Sequence, residues 1–182
     1  MSKIYFVSDL HINHRASLEF EGRERFSSVE EMNQTIVDNW NKTINSGDTV
    51  YNLGDCFLGK AAESQQILKS LNGHKLFIKG NHDNQGDHWY HGAGFEEIHR
   101  MLVLPSPTMP GRLTYIITHI PIPYTQIQAL EGMYGHKVLN LHGHLHLCKD
   151  RTFTGDDVWE HPSSYINFSV EAINFTPVKV DL

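Results

Sequence analysis

The sequence predicts an α/β protein in which two β-sheets pack face to face with helices outside. Three observations carry this. Short apolar β-forming runs alternate with amphipathic helical stretches through residues 3 to 83, residues 96 to 180 hold more strands than helices, and no internal repeat or Pro/Gly/Ser-rich linker divides the 182 residues. Domains commonly run to about 100 to 200 residues, so residues 1–182 are expected to form a single domain.

The elements follow in order. "KIYFVSD" (3 to 9) is an apolar run ending in a carboxylate. "SSVEEMNQTIVDNWNKTINSG" (27 to 47) reads as an amphipathic helix with Val29, Met32, Ile36, Trp40 and Ile44 as its apolar stripe, a capping box from Ser27 or Ser28 with Glu30 or Glu31, and Gly47 as its stop. "DTVYNLGD" (48 to 55) is the second strand, "AAESQQILKSLNG" (61 to 73) the second helix, ended by Asn72-Gly73, and "HKLFIKGNHD" (74 to 83) the third strand. This strand, helix, strand, helix, strand series favours a partly parallel sheet. Downstream, "EEIHRMLVLP" and "RLTYIITH" flank a Pro110-Gly111 turn, and "KVLNLHGH" and "SYINFSVEAINFTPVKV" supply the remaining strands.

Composition narrows the function classes. A net charge of -6 argues against a broad basic surface for duplex nucleic acid. The opening apolar run from Ile4 to Val7 is too short for a signal-peptide core, and no stretch approaches a membrane span, so a cytoplasmic protein is expected. Cys56 and Cys148 are expected to be small buried side chains rather than a disulfide. Histidine stands out, with 13 residues.

Metal-capable side chains appear where the apolar strands stop: Asp9 and His11 after the first, Asp55 after the second, Asn81, His82 and Asp83 after the third, His119 after "LTYIIT", and His144 and His146 after "KVLNL". In sheet folds of this kind ligands gather beyond the strand carboxyl ends. Taken singly each piece is ordinary, since an Asp-x-His arises by chance and a Gly-Asp is commonly a turn. Together their order and placement point to a ligand site.

In that order, Asp9-x-His11, Gly54-Asp55, Gly80-Asn81-His82-Asp83, His119 and Gly143-His144-x-His146 resemble the five blocks of the calcineurin-like metallophosphoesterase superfamily, especially its small bacterial and phage members. The closing "NFSVEAINFTPV" resembles their last strand pair. The resemblance implies a four-layer αββα sandwich with two divalent metal ions at one edge, held by Asp9, His11, Asp55 and His146 on one side and by Asp55, Asn81, His119 and His144 on the other. Oxygen and nitrogen ligands without thiolate suit manganese, iron, zinc, nickel or cobalt.

It further implies hydrolysis of a phosphate ester by a hydroxide bridging the two metals. His82 would protonate the leaving oxygen or stabilise the transition state, and Asp83 would either orient His82 or cap the following loop. The protein Ser/Thr phosphatases of the superfamily carry Gly-Asp-x-x-Asp-Arg-Gly and Asn-His-Glu, whereas this chain has "GDCFLGK", with Leu58 at the second aspartate, and "GNHD". The pattern is nearer the phosphodiesterase-like branch. A phosphomonoesterase on the same site, acting on a small molecule or nucleotide, is the alternative. A non-catalytic scaffold relative and a metallo-β-lactamase-type hydrolase fit less well: every ligand and His82 are kept, and no Asp-His pair follows His146.

Within "NLHGHLHLC" this reading gives His144 and His146 to different metals. His142 is left to packing or to orienting a ligand, and Gly143 is expected to turn the backbone at the strand end. The segments between the blocks carry Arg15, Arg23, Arg25, Lys60 and Arg151, which could contact phosphate, and Trp89, Tyr90, Tyr124 and Tyr134, which could stack on a base. Solvated charges and local packing explain each equally well.

Overall fold

The computed structural model describes residues 2–147 and 157–181. Cys148 and Arg151 lie outside the described residues. Strand β1 (Ile4–Val7) alternates strictly: Tyr5 and Val7 join the apolar cluster under the helices, while Ile4 and Phe6 face the second sheet. Helix α1 (Val29–Thr43) starts at Ser28, whose Oγ accepts the Glu31 amide at 3.1 Å, while the Glu31 carboxylate accepts the Ser27 amide at 2.7 Å. Met32, Ile36, Trp40 and Ile44 are buried, as the stripe predicts.

Strand β2 (Thr49–Asn52), helix α2 (Ala61–Lys69), strand β3 (His74–Ile78), helix α3 (Asp87–Gly92) and strand β4 (Phe95–His99) continue the series. The first two helices and the strand that follows each end earlier than the sequence suggests. At Arg100 the chain leaves one sheet for the other, so "EEIHRMLVLP" divides between β4 and β5 (Met101–Pro105) instead of forming one strand. Strand β6 (Leu113–Thr118), helix α4 (Tyr124–Tyr134), strand β7 (Lys137–His142), helix α5 (Asp157–Glu160), strand β8 (Tyr165–Asn167) and strand β9 (Val178–Lys179) complete the chain.

The sheets are β4-β3-β2-β1-β9 and β5-β6-β7-β8. The first is parallel from β4 to β1, with β9 antiparallel at its edge. The second is parallel from β6 to β8, with β5 antiparallel at its edge. Three apolar clusters show the layering. Phe6, Leu53 and Ile78 meet Leu113, Tyr115, Ile117 and Leu141 between the sheets; α1 and α2 cover the outer face of the first sheet; and Ile127 of α4 and Val158 of α5 cover Ile116 and Val138 of the second. This is the four-layer αββα sandwich of two mixed sheets, and the clusters account for most of the favourable burial. Among the described residues no helix is long and apolar enough to cross a membrane.

The carboxyl ends of β1, β2 and β3 and those of β6 and β7 meet at one edge. There the Asp9 amide donates to the Gly54 carbonyl at 2.9 Å, the His11 amide to Asp55 O at 3.0 Å, and the Gly143 amide to His119 O at 3.0 Å.

Candidate metal centre

Just past the strand ends, five of the seven candidate ligands have left-handed backbone: Asp9 (φ 59°), His11 (50°), Asp55 (50°), His144 (69°) and His146 (49°). That region is sparsely populated by residues other than glycine and costs on the order of 1 to 3 kcal/mol per residue. The cross-strand amide bonds hold it in place. It also corrects the expectation for Gly143: the tight turn falls on His144, and Gly143 has no positive φ. Glycine is needed there for space, because a Cβ would lie 1.9 Å from Ser8 Oγ and 2.3 Å from Asp9 Oδ2. Gly80 is similar, with a Cβ 2.1 Å from Asp55 Oδ1.

The side chains converge in two groups. In the first, Asp9, His11 and His146 bring one ligand atom each within 4.8 Å of one another. Asp9 Oδ2 is held by the His144 amide at 2.9 Å and the Ser169 hydroxyl at 3.0 Å, and its Oδ1 is buried with no hydrogen-bond partner among the described residues. His11 Nε2 is likewise buried without one. His146 Nδ1 lies 3.0 Å from Glu171 Oε1, and its Nε2 lies 3.7 Å from Asp9 Oδ1.

In the second group, Asp55, His119 and His144 meet within the same 4.8 Å limit. His119 Nδ1 faces the Leu53 carbonyl at 2.8 Å, which turns Nε2 toward Asp55 Oδ2 at 3.3 Å and Asn81 Oδ1 at 3.0 Å. The two groups hold six of the seven expected ligands, and Asn81 touches the second. Buried acceptors without donors are costly, and carboxylate oxygens beside imidazole nitrogens are the donor set a divalent cation takes. The residues present therefore fit a pair of metal ions.

Burial opposes charge on Asp55, yet its bond and attraction to His119 hold its carboxyl down at about 2. Burial likewise opposes the His119 imidazolium, but Asp55 and Asp9 raise it to about 9. A proton on His119 thus competes with a cation for the same nitrogen. His11 is lowered well below its usual range by burial and Arg23, and burial brings His142 to about 4. His142 is enclosed, with Nδ1 2.8 Å from the Gly143 carbonyl. It stands outside both groups.

His82 is exposed; its amide donates to Asp55 Oδ1 at 2.9 Å and its ring lies 6.1 Å from that of His11. Asp83 is buried, with both oxygens taken up by the backbone amides of Asp55, Gly80 and Cys56. Cys56 is a free buried thiol.

Sequence reasoning missed Glu171, Ser169 and the role of Arg23. Arg23 is fully buried and bonds Glu171, which corrects its expectation as a phosphate contact. Trp89 stacks on Phe57 and Tyr124 on His161, while Tyr90 packs against Phe77, so these rings are engaged in packing. Arg100, in the crossing between β4 and β5, lines a cavity of about 460 Å³ with Lys79, Asn81, Met101 and His119.

A family model described as calcineurin-like phosphoesterase matches residues 2–177. The chain is 34% identical over 193 residues to an uncharacterized protein of Methanocaldococcus jannaschii, covering 100% of this chain and 89% of that one. A gene 66 protein of Mycobacterium phage L5 is 36% identical over 86 residues, which covers 46% of this chain and 41% of the phage protein. A solved protein of unknown function from Aquifex aeolicus superposes with a TM-score of 0.73 at 23% identity, over 98% of this chain and 96% of that chain. This likeness shows the fold.

Proposed function

Because the chain belongs to the calcineurin-like phosphoesterase family, we propose that it hydrolyses phosphodiesters, as a single catalytic domain and with His82 facing the leaving group. The family supports metal-dependent hydrolysis of a phosphate ester. The observation that carries the metal dependence is the pair of buried atoms Asp9 Oδ1 and His11 Nε2, without hydrogen-bond partners among the described residues, beside His146.

On this reading Asp9, His11, Asp55 and His146 hold one divalent cation, and Asp55, Asn81, His119 and His144 the other. When bound, the two cations supply a nucleophilic water near neutral pH and neutralise charge on the phosphoryl oxygens. The chain's own residues do the rest. Ser169 and the His144 amide fix one oxygen of Asp9, so only the other turns inward. The Leu53 carbonyl selects the His119 tautomer. His82, tied through its amide to Asp55 Oδ1, presents an imidazole on the open side, where it donates a proton to the departing oxygen or stabilises the transition state.

Leu58 occupies the position of the second aspartate of the protein phosphatases, which favours a diester over a protein phosphomonoester. Arg100 at the cavity beside Asn81 suits an anionic group flanking the scissile phosphate, which fits a nucleotide-type substrate.

The test is a panel of mono-, di- and cyclic phosphate esters, 2',3'-cyclic nucleotides and nucleic acid, assayed with manganese, iron, zinc, nickel and cobalt in turn. Turnover of an aryl phosphodiester only with added metal is expected. Undiminished turnover in chelator would sink the metal reading, and faster turnover of monoesters throughout would replace diesterase by monoesterase.

A further inference from the structure

Among the described residues the most deeply buried arginine or lysine side chain, that of Arg23, lies behind the metal centre. Arg23 is 0% exposed and comes from the turn segment before α1, outside every motif block. Its Nε donates to Glu171 Oε1 across 148 positions of sequence. Its Nη2 donates to the Asp9 carbonyl at 2.6 Å, and its Nη1 reaches Leu10 O and Ser17 Oγ, each at 3.3 Å. The same Glu171 oxygen lies 3.0 Å from His146 Nδ1.

One buried ion pair therefore touches both ends of the first ligand group: Asp9 through its main chain, and His146 through its ring. Both contacts bear on geometry. Asp9 sits in left-handed backbone at φ 59°, and the arginine fork on the Asp9 and Leu10 carbonyls spans that turn. A carboxylate accepting from His146 Nδ1 fixes the tautomer, so that Nε2 carries the lone pair on the side facing Asp9 Oδ1.

We propose that Arg23 and Glu171 are positioning residues for the first cation, setting its affinity and coordination through Asp9 and His146 while leaving the second cation to its own frame. This rests on the two-cation reading above. A purely stabilising role predicts otherwise: buried ion pairs are often replaceable by apolar residues of similar volume without loss of stability, and such a replacement would spare cation binding. The second group has supports of its own, the Leu53 carbonyl on His119 and the His82 amide on Asp55, and meets the first through Asp55 and the bond from the His144 amide to Asp9 Oδ2.

The test uses the full chain, stripped of metal and titrated with cobalt(II), followed by calorimetry and by the visible d–d absorption of the bound ion. Wild type should take up two ions per chain in resolvable steps. Glu171→Gln should weaken one step by about 10 to 100-fold and shift the absorption of that ion, with the other step within about threefold, the range seen when a residue supporting a ligand is changed. The double variant Arg23→Met/Glu171→Met leaves no stranded charge, so it reads the same loss even if Glu171→Gln fails to fold.

Unchanged affinity and spectrum in a folded variant would overturn the inference and leave the two-cation reading standing. Equal weakening of both steps would overturn it as well, by showing a general effect on the fold. A wild-type protein that binds no cobalt would remove both the inference and the reading beneath it.

Discussion

Asp83 holds Asp55 through the main chain: its Oδ2 accepts the Asp55 amide at 2.6 Å and the Gly80 amide at 2.7 Å, and its Oδ1 accepts from the Cys56 amide at 3.3 Å. One buried carboxylate thus ties together the loops after β2 and β3 that present Asp55 and Asn81. Burial and the neighbouring Asp55 raise its pKa, while the amides oppose that rise. Asp83→Asn sets an NH₂ group against these donors and leaves at least one buried amide unpaired, at a cost of about 1 to 3 kcal/mol. Tm should fall by about 2 to 4 °C for each kcal/mol, and metal-dependent turnover should fall with it. A wild-type Tm in the asparagine variant would contradict this bracing role.

Gly143→Ala should be far more damaging than a methyl group normally is. Its Cβ would meet Ser8 Oγ at 1.9 Å and Asp9 Oδ2 at 2.3 Å; rotating the Ser8 hydroxyl away still leaves Ser8 Cβ at 2.6 Å, and Asp9 Oδ2 is held by the Ser169 hydroxyl and the His144 amide. The expected outcome is folded protein with reduced metal content, measured by elemental analysis after desalting. Full metal content in that variant would show that β1 can move aside.

The candidate ligands were legible because each follows an apolar run, and the runs are strands that end at one edge. The helices at Asp87–Gly92 and Tyr124–Tyr134 were not. The second begins at Pro123 with no side-chain cap and no acid in its first turn, and it buries only Ile127, so neither a start signal nor a full apolar stripe marks it. The division of "EEIHRMLVLP" at Arg100 was hidden because no glycine, proline or other turn residue marks the point where the chain passes from one sheet to the other. Arg23 and Glu171 carried no local signal, since their relationship exists only once residues far apart in sequence are folded together.

His82→Ala should lower turnover of an aryl phosphodiester by on the order of a hundredfold or more while leaving metal content unchanged, because the proposed role belongs to the imidazole and the tie to Asp55 belongs to the amide. Wild-type turnover would remove His82 from the chemistry. In the same assay His142→Asn should cost less than His144→Asn or His146→Asn, since His142 is turned to the Gly143 carbonyl and lies outside both ligand groups. The reverse order would overturn that division.

Arg100→Ala separates binding from chemistry. The residue lines the cavity next to Asn81 and His119 but belongs to neither ligand group. If it contacts a flanking phosphate, KM for a dinucleotide should rise about tenfold, the loss expected for one charge-assisted contact worth roughly 1.5 kcal/mol, with kcat kept and an aryl diester lacking the second phosphate little affected. A matching rise for both substrates would place the effect elsewhere.

Lys75 gives a pH test well away from the metal centre. It is 3% exposed, its amine donates to the Leu68 carbonyl at 2.6 Å and the Leu71 carbonyl at 2.9 Å, and burial, opposed by Glu96, lowers its pKa from 10.5 to about 8. Between those two values the unfolded chain holds a proton that the folded chain has released, so raising the pH through this window stabilises the fold. The gain is roughly 1.4 kcal/mol per unit at its steepest. Below about pH 8 both states carry the proton and the contribution is flat. Lys75→Met lacks the titrating group, so the stability of wild type relative to this variant should rise by about 1 kcal/mol between pH 8 and 9 in urea unfolding. A difference that stays constant over that interval would mean that the two carbonyls hold the Lys75 amine protonated despite its burial.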